Sequence, residues 1–283
     1  MKTSKAIKDI LSERKSSSFQ PDVKIIELSN KLGKVRTCQK LLPSQRKRGP
    51  YFNDSYSVGC NKNNLSKANE TAFSRALFNQ RFISLAGKLA ILLDYEVYLS
   101  EDKAQKVDLL AYKPLTNTLV AIEYKIKPEN SSTGVEYGLL ESLCYGYLLE
   151  KYIAKASHVT SEIQDHLKKI GIDYVSKLIP DPSINPSVEY LLAAPVSYFE
   201  EFVKSGKKAE KRFSRIISIE KALRDKSISN TSAVFSGYLV LSEVSHKSSS
   251  IVDIANENTS FPYLSCLIDN LTKVKSSIIK LKK

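Results

Sequence analysis

The sequence predicts an α/β fold, a central mixed β-sheet flanked by helices, and three observations carry that prediction. Apolar residues recur at helical spacing over 65–93 and 134–155, and 199–226 reads as a highly charged helix. Short alternating or all-apolar runs at 96–99, 107–112, 118–127, 190–194 and 234–244 read as strands. The two kinds of segment interleave as helix, three strands, helix, strand, helix, strand. A chain of 283 residues, 42% apolar with only 10 Gly and 10 Pro, has the composition of a packed core and excludes collagen-like or wholly disordered chains.

Taken in order, residues 22–33 predict a short helix, and Gly33, Pro43, Gly49, Pro50 and Gly59 then break the chain into loop or mobile arm over 34–64. Order is expected to begin near Leu65. Ser66 and Asn69 offer caps before Glu70, and Phe73, Ala76, Leu77, Ile83, Ala86 and Ala90 fall on one face, so 65–93 reads as one long buried helix. Glu96–Leu99 is a short strand, Val107–Tyr112 a second, and Thr118–Lys127 a third. The turn residues Lys113-Pro114-Leu115-Thr116-Asn117 join the last two as an antiparallel hairpin. Leu139, Leu140, Leu143, Tyr147 and Leu148 mark the helix over 134–155. A strand ending at Pro195, a charged helix over 199–226, a strand over 234–244 and a last helix over 264–281 complete the chain. The organisation expected is a basic, partly irregular arm (1–64), an α/β core (65–245) and a helical extension (246–283).

The formal charge of +13 is concentrated at the N-terminus: residues 1–64 hold 14 Lys/Arg against 5 Asp/Glu. Within this arm Arg46-Lys47-Arg48 precedes Tyr51-Phe52, a pairing of cations and aromatics suited to a phosphate backbone and to bases; a solvated, solubilising segment accounts for it equally well. No apolar run approaches the roughly 18 residues of a membrane helix, and no signal-like stretch opens the chain, so an intracellular, cytoplasmic protein with no membrane partner is expected. Cys38, Cys60, Cys144 and Cys266 are too scattered for a zinc knuckle and read as reduced thiols. His158 and His166 read as surface or capping residues. Gly206-Lys207-Lys208 lacks the upstream glycine of a phosphate-binding loop.

The chemistry concentrates on the hairpin. Alternation along Leu119–Lys127 sends Val120, Ile122, Tyr124 and Ile126 to one face and Glu123, Lys125 and Lys127 to the other. Asp108 interrupts the apolar strand Val107-Leu109-Leu110-Ala111, where a carboxylate needs compensation. A divalent cation shared by Asp108 and Glu123, with the Lys125 ammonium beside it, supplies one, and these are the parts for phosphodiester hydrolysis. A solvent-facing Glu-Lys pair, with Asp108 bonded to Lys125, supplies another.

Val107-Asp108-Leu109-Leu110, a hairpin, then Val120-Ala121-Ile122-Glu123-Tyr124-Lys125, with a long helix before and after, resembles the PD-(D/E)xK, or restriction-endonuclease-like, nuclease superfamily. The resemblance covers 65–155 closely and departs from the family name in having Lys106-Val107 where Pro stands. It implies a restriction-endonuclease-like core. It also implies that Asp108 and Glu123 are metal ligands together with the backbone carbonyl of Tyr124, and that Lys125 is the catalytic lysine. The glutamate that many members add from the preceding helix matches Glu70; the polar residue and tyrosine of the following helix match Glu141 and Tyr145, with Glu136 competing. The implied activity is that of a Mg²⁺-dependent deoxyribonuclease, Mn²⁺ substituting, which leaves a 5′-phosphate and a 3′-hydroxyl. Double-stranded DNA is the expected substrate, held in part by Arg46, Lys47, Arg48 and Lys127. Restriction or another defence or mobile-element role leads among the pathways, and a site-specific member would often be a homodimer. The alternatives are a catalytically inactive nucleic-acid-binding protein on the same fold and a basic adaptor with no nucleic-acid role.

Overall fold

The computed structural model describes residues 3–12, 20–42, 77–78, 81–125, 134–179, 181, 183–199, 202, 207–241 and 259–281. Strands β1 (Phe82–Leu85), β2 (Lys88–Tyr98), β3 (Lys106–Lys113), β4 (Thr118–Tyr124), β5 (Ser187–Pro195), β6 (Val234–Leu241) and β7 (Thr259–Phe261) form one sheet in sequential order. Helices are α1 (Thr3–Ser12), α2 (Pro21–Gly33), α3 (Val135–Ile153), α4 (Val159–Lys169), α5 (Val196–Phe199), α6 (Lys207–Arg224), α7 (Lys226–Ser229) and α8 (Leu264–Leu281). The sheet is mixed, as the sequence predicts: β1 to β4 are an antiparallel meander, β4–β5 and β5–β6 are parallel, and β6–β7 is antiparallel. Both parallel steps need a crossover, and α3 with α4 makes the first while α6 makes the second.

Two cores result. On one face the sheet packs against helices, with Ile7 and Ile10 of α1, Leu28 of α2, Leu140 and Leu148 of α3, Ile163 of α4 and Ile219 of α6 in one apolar cluster. The other face is largely enclosed by the sheet's own curl: Ile83, Leu92, Leu109, Val120, Ile122, Tyr124 and Leu191 pack together with Leu77 and Phe78. The Ala86 N–H, in the β1–β2 turn, donates to Ser260 Oγ in β7 (2.9 Å), bringing the two ends of the strand order together in a nearly barrel-shaped sheet.

Several sequence expectations are corrected. The continuous helix over 65–93 is replaced from Phe82 onward by the β1–β2 hairpin, whose strands pair Leu85 with Lys88 around a two-residue turn. Ala86 (φ 52) and Gly87 (φ 75) both take the left-handed conformation that such a turn requires. The short strand over 96–99 is the end of the much longer β2. The short helix expected over 22–33 is observed as α2, with Pro21 at its first turn and Asp22 at its positive end, but order does not wait for it, because the unforeseen α1 comes first. The N-terminal lysines thus ride on helices whose apolar residues Ala6, Ile7, Ile10 and Leu11 are buried. The charged helix over 199–226 is observed as α5 and α6. Helix α4 and strand β7 had no counterpart in the sequence reading.

Two glycines are fixed by close approach. A Cβ at Gly146 of α3 would stand 2.3 Å from the Tyr190 ring, so its absence lets the helix lie directly on β5. Gly237 of β6 has φ +112, and a Cβ there would stand 2.2 Å from the Phe261 carbonyl of β7.

Candidate active site

Strand β4 is buried along its whole length, as a central strand with a parallel neighbour should be. Its alternation is the one the sequence predicts: Val120, Ile122 and Tyr124 enter the enclosed core, and Leu119 and Ala121 the helix-covered one. Glu123 and Lys125 are therefore not a solvent-facing pair, being 2% and 5% exposed. Lys125 Nζ lies 2.5 Å from Glu123 Oε1 and 2.9 Å from Glu141 Oε2, the latter reaching in from α3. The ammonium also stands 5.7 Å from the centre of the Tyr137 ring. One turn beyond Glu141, the Tyr145 hydroxyl donates to Glu141 Oε1 (3.2 Å).

Asp108 takes a backbone partner on the neighbouring strand. The β3–β4 ladder has its last pair at Leu109 and Ile122, and one step further the Tyr124 N–H donates to Asp108 Oδ2 (2.9 Å). The carboxylate thus stands in for a backbone acceptor and is fixed at the end of the hairpin, beside Glu123.

Glu123 and Glu141 thus share the Lys125 ammonium. Burial pushes the Glu123 carboxyl well above its ordinary value, the charges of Asp108 and Glu141 add to the shift, and Lys125 offsets only part of it. The Tyr145 hydroxyl is held up by burial and by the charges of Glu123, Glu141 and Asp108. Glu123 Oε2 is buried and accepts no hydrogen bond from a described residue. A proton shared between Glu123 and Glu141 satisfies it, and so does a cation.

The structure thus brings together Asp108, Glu123, Lys125, Glu141 and Tyr145. Glu70, Arg46, Lys47, Arg48 and Lys127 lie outside the described residues. Glu136 is drawn away to Arg215 (Nη2–Oε1 2.7 Å) and Arg212 (Nε–Oε2 3.4 Å), which leaves Glu141 as the helix's carboxylate at Lys125. The sequence reading missed Tyr137. Tyr137 stands one turn before Glu141, so the i, i+4 series 137, 141, 145 was the signal available for it. His166 also departs from expectation: it is buried, with Nε2 2.7 Å from the Leu93 carbonyl, and burial lowers its pKa. Among the described residues, Cys38, Cys144 and Cys266 are free thiols.

The donor chemistry fits a hard divalent cation, because the cluster combines excess negative charge with an oxygen lacking a donor. Among the described residues no three His, Cys, Asp or Glu side chains group closely enough to hold a metal by themselves. A cation held by one or two carboxylates, a backbone carbonyl, water and a substrate phosphate is the Mg²⁺ habit and needs no such trio. No described helix is long and apolar enough to cross a membrane. No family model matches the chain, and neither a curated protein nor a solved structure matches it.

Proposed function

We propose that the protein is a divalent-metal-dependent nuclease that hydrolyses DNA phosphodiester bonds, on a core of the PD-(D/E)xK kind. The observation that carries this reading is the ion cluster of buried Lys125 and Glu123 with Glu141, where the Asp108 charge also bears on Glu123 and Glu123 Oε2 has no hydrogen-bond partner among the described residues. The order of β2, β3 and β4, the crossover helix α3, and β5 parallel to β4 supports it, since the resemblance implies such a core.

In this reading Asp108 and Glu123, with the carbonyl of Tyr124, hold Mg²⁺ or Mn²⁺, and Glu70 is a further candidate ligand. When bound, the cation supplies positive charge against the oxygens of the scissile phosphate. Lys125 keeps its ammonium next to the reacting phosphorus, orients the attacking water and stabilises the extra charge of the pentacoordinate transition state. Glu141 fixes Lys125 from the side of α3, and Tyr145 fixes Glu141. A water oxygen bonds to phosphorus, the bond from phosphorus to the 3′ oxygen breaks, and that oxygen takes up a proton. The products are a 5′-phosphate and a 3′-hydroxyl.

Double-stranded DNA as substrate, a homodimeric assembly and a place in restriction or mobile-element defence belong to the same proposal. Supercoiled plasmid and single-stranded DNA incubated with Mg²⁺ or Mn²⁺ test it, beside Lys125→Ala and Asp108→Ala. Wild-type nicking or linearisation that both substitutions abolish is expected. Retained cleavage in both variants would assign the activity elsewhere, and DNA binding without wild-type cleavage would favour the inactive nucleic-acid-binding alternative.

A further inference from the structure

The N-terminal turn of α3 carries a second charged group that the hydrolytic cluster does not use. Glu136 is 1% exposed, and it receives two guanidiniums from α6. Arg215 donates to Glu136 Oε1 through Nε (2.8 Å), and Arg212 donates to Oε2 through its own Nε (3.4 Å). Arg212 is further braced by the Phe202 ring, 5.4 Å from its guanidinium carbon. The three groups sum to +1, and the arginine side chains remain 28% and 21% exposed. Lys211, exposed, precedes Arg215 by one helical turn on the same side of α6.

The position of this group matters as much as its charge. Glu136 is five residues before Glu141 on one helix, about 7.5 Å along the axis. Between them lie Tyr137, against Lys125, and Gly138, where a Cβ would stand 3.5 Å from Lys125 Cγ. Two partly exposed guanidinium forks beside a phosphate-cleaving centre have the shape and charge that recognise phosphate.

We infer that Arg212 and Arg215 form a clamp for a backbone phosphate neighbouring the one that is cut, and that Glu136 holds the two guanidiniums in place until DNA displaces it. The inference rests on the nuclease reading for the location of the scissile phosphate. Lys211 continues the positive track along α6. Glu136 competes with the phosphate for the same N–H donors, so weakening Glu136 strengthens DNA binding even as it loosens the α3–α6 contact.

The full-length chain, titrated in EDTA against labelled duplex and single-stranded DNA over a range of salt, tests the clamp by fluorescence anisotropy. The double substitution Arg212→Gln/Arg215→Gln should weaken binding roughly tenfold near 0.1 M salt, and it should flatten the slope of log K against log salt by about 0.7–0.9 per lost contact. Arg212→Lys/Arg215→Lys should retain most of the slope. Glu136→Gln should tighten binding while lowering the melting temperature, whereas a purely structural ion pair predicts that both readouts fall together. A double Gln variant with the wild-type slope, or weaker binding by Glu136→Gln, would overturn the clamp. Plasmid cleavage separates the two ideas: wild-type cleavage with an unchanged slope in the double variant sinks the clamp alone. A slope lost in the double variant without any wild-type cleavage sinks the nuclease reading alone.

Discussion

Lys125 Nζ stands 2.5 Å from Glu123 Oε1, two residues away on the same chain, and both side chains are almost wholly removed from water. Neighbours at i and i+2 of a strand share a face, so the contact follows directly from strand alternation. Its burial follows from the position of β4 under α3. A buried pair of this kind adds little net stability, because desolvation offsets most of the attraction, but breaking one side of it is expensive.

Lys125→Met should therefore destabilise the fold by about 3–5 kcal/mol above the raised pKa of Glu123, where that carboxyl is ionised and left without its cation. The loss should shrink at lower pH as Glu123 takes up a proton. Urea titrations of the variant and the wild type at several pH values read both effects.

Glu123 has a folded-state pKa above its unfolded one, so the proton it carries favours the native state at low pH. That contribution is complete below the unfolded carboxylate value and is lost as pH rises through the raised one. Glu123→Gln should give a flatter melting-temperature profile, with the difference from wild type lying in that window.

In the proposed nuclease the cluster must be ionised to hold a cation, so the acid limb of its cleavage profile should follow Glu123. Its Glu141 neighbour raises the Glu123 pKa by charge and by hydrogen bonding. Glu141→Gln should move the acid limb of kcat/KM to lower pH while reducing the plateau. An unmoved limb would mean that another group sets it.

Asp108 has a structural role at the Tyr124 N–H and, in the proposed nuclease, a chemical one, and two substitutions separate them. Asp108→Asn keeps an acceptor for the Tyr124 N–H and should retain stability within about 1 kcal/mol while losing cleavage. Asp108→Ala leaves that N–H without its partner and should cost a further 1–3 kcal/mol, roughly the penalty for an unsatisfied buried donor. Thermal melts beside cleavage assays distinguish them.

The β3–β4 hairpin, α3 and the strand β5 were legible because each carries a local signal: turn residues at 113–117, a long apolar period after Gly134, and an all-apolar run ended by Pro195. Glu123, Lys125 and Asp108 could be named for the same reason, each being a charge inside or beside an apolar strand. The β1–β2 hairpin was hidden because β2 is buried on both faces over much of its length. A strand of that kind has no period-2 alternation, and its unbroken apolar residues match a helix equally well. Its turn uses Ala86 where Asn or Asp would have announced it. Helix α2 matches the short helix expected over 22–33, whereas α1 is masked by its lysines, with Ile7, Ile10 and Leu11 forming its buried stripe. The convergence of Glu141 on Lys125 depends on how α3 crosses β4 and β5. That crossing is set by Gly138 and Gly146, whose missing side chains admit Leu192 and Tyr190.

The central claim is that the acidic cluster around Lys125 takes a divalent cation, and calorimetric titration of Mn²⁺ in two buffers of different ionisation enthalpy tests it most directly. One equivalent should bind with release of protons, since a cation favours the ionised form of the raised Glu123 carboxyl, and Asp108→Asn and Glu123→Gln should each abolish or greatly weaken binding. Absence of Mn²⁺ binding by the wild type, or binding indifferent to both substitutions, would contradict it.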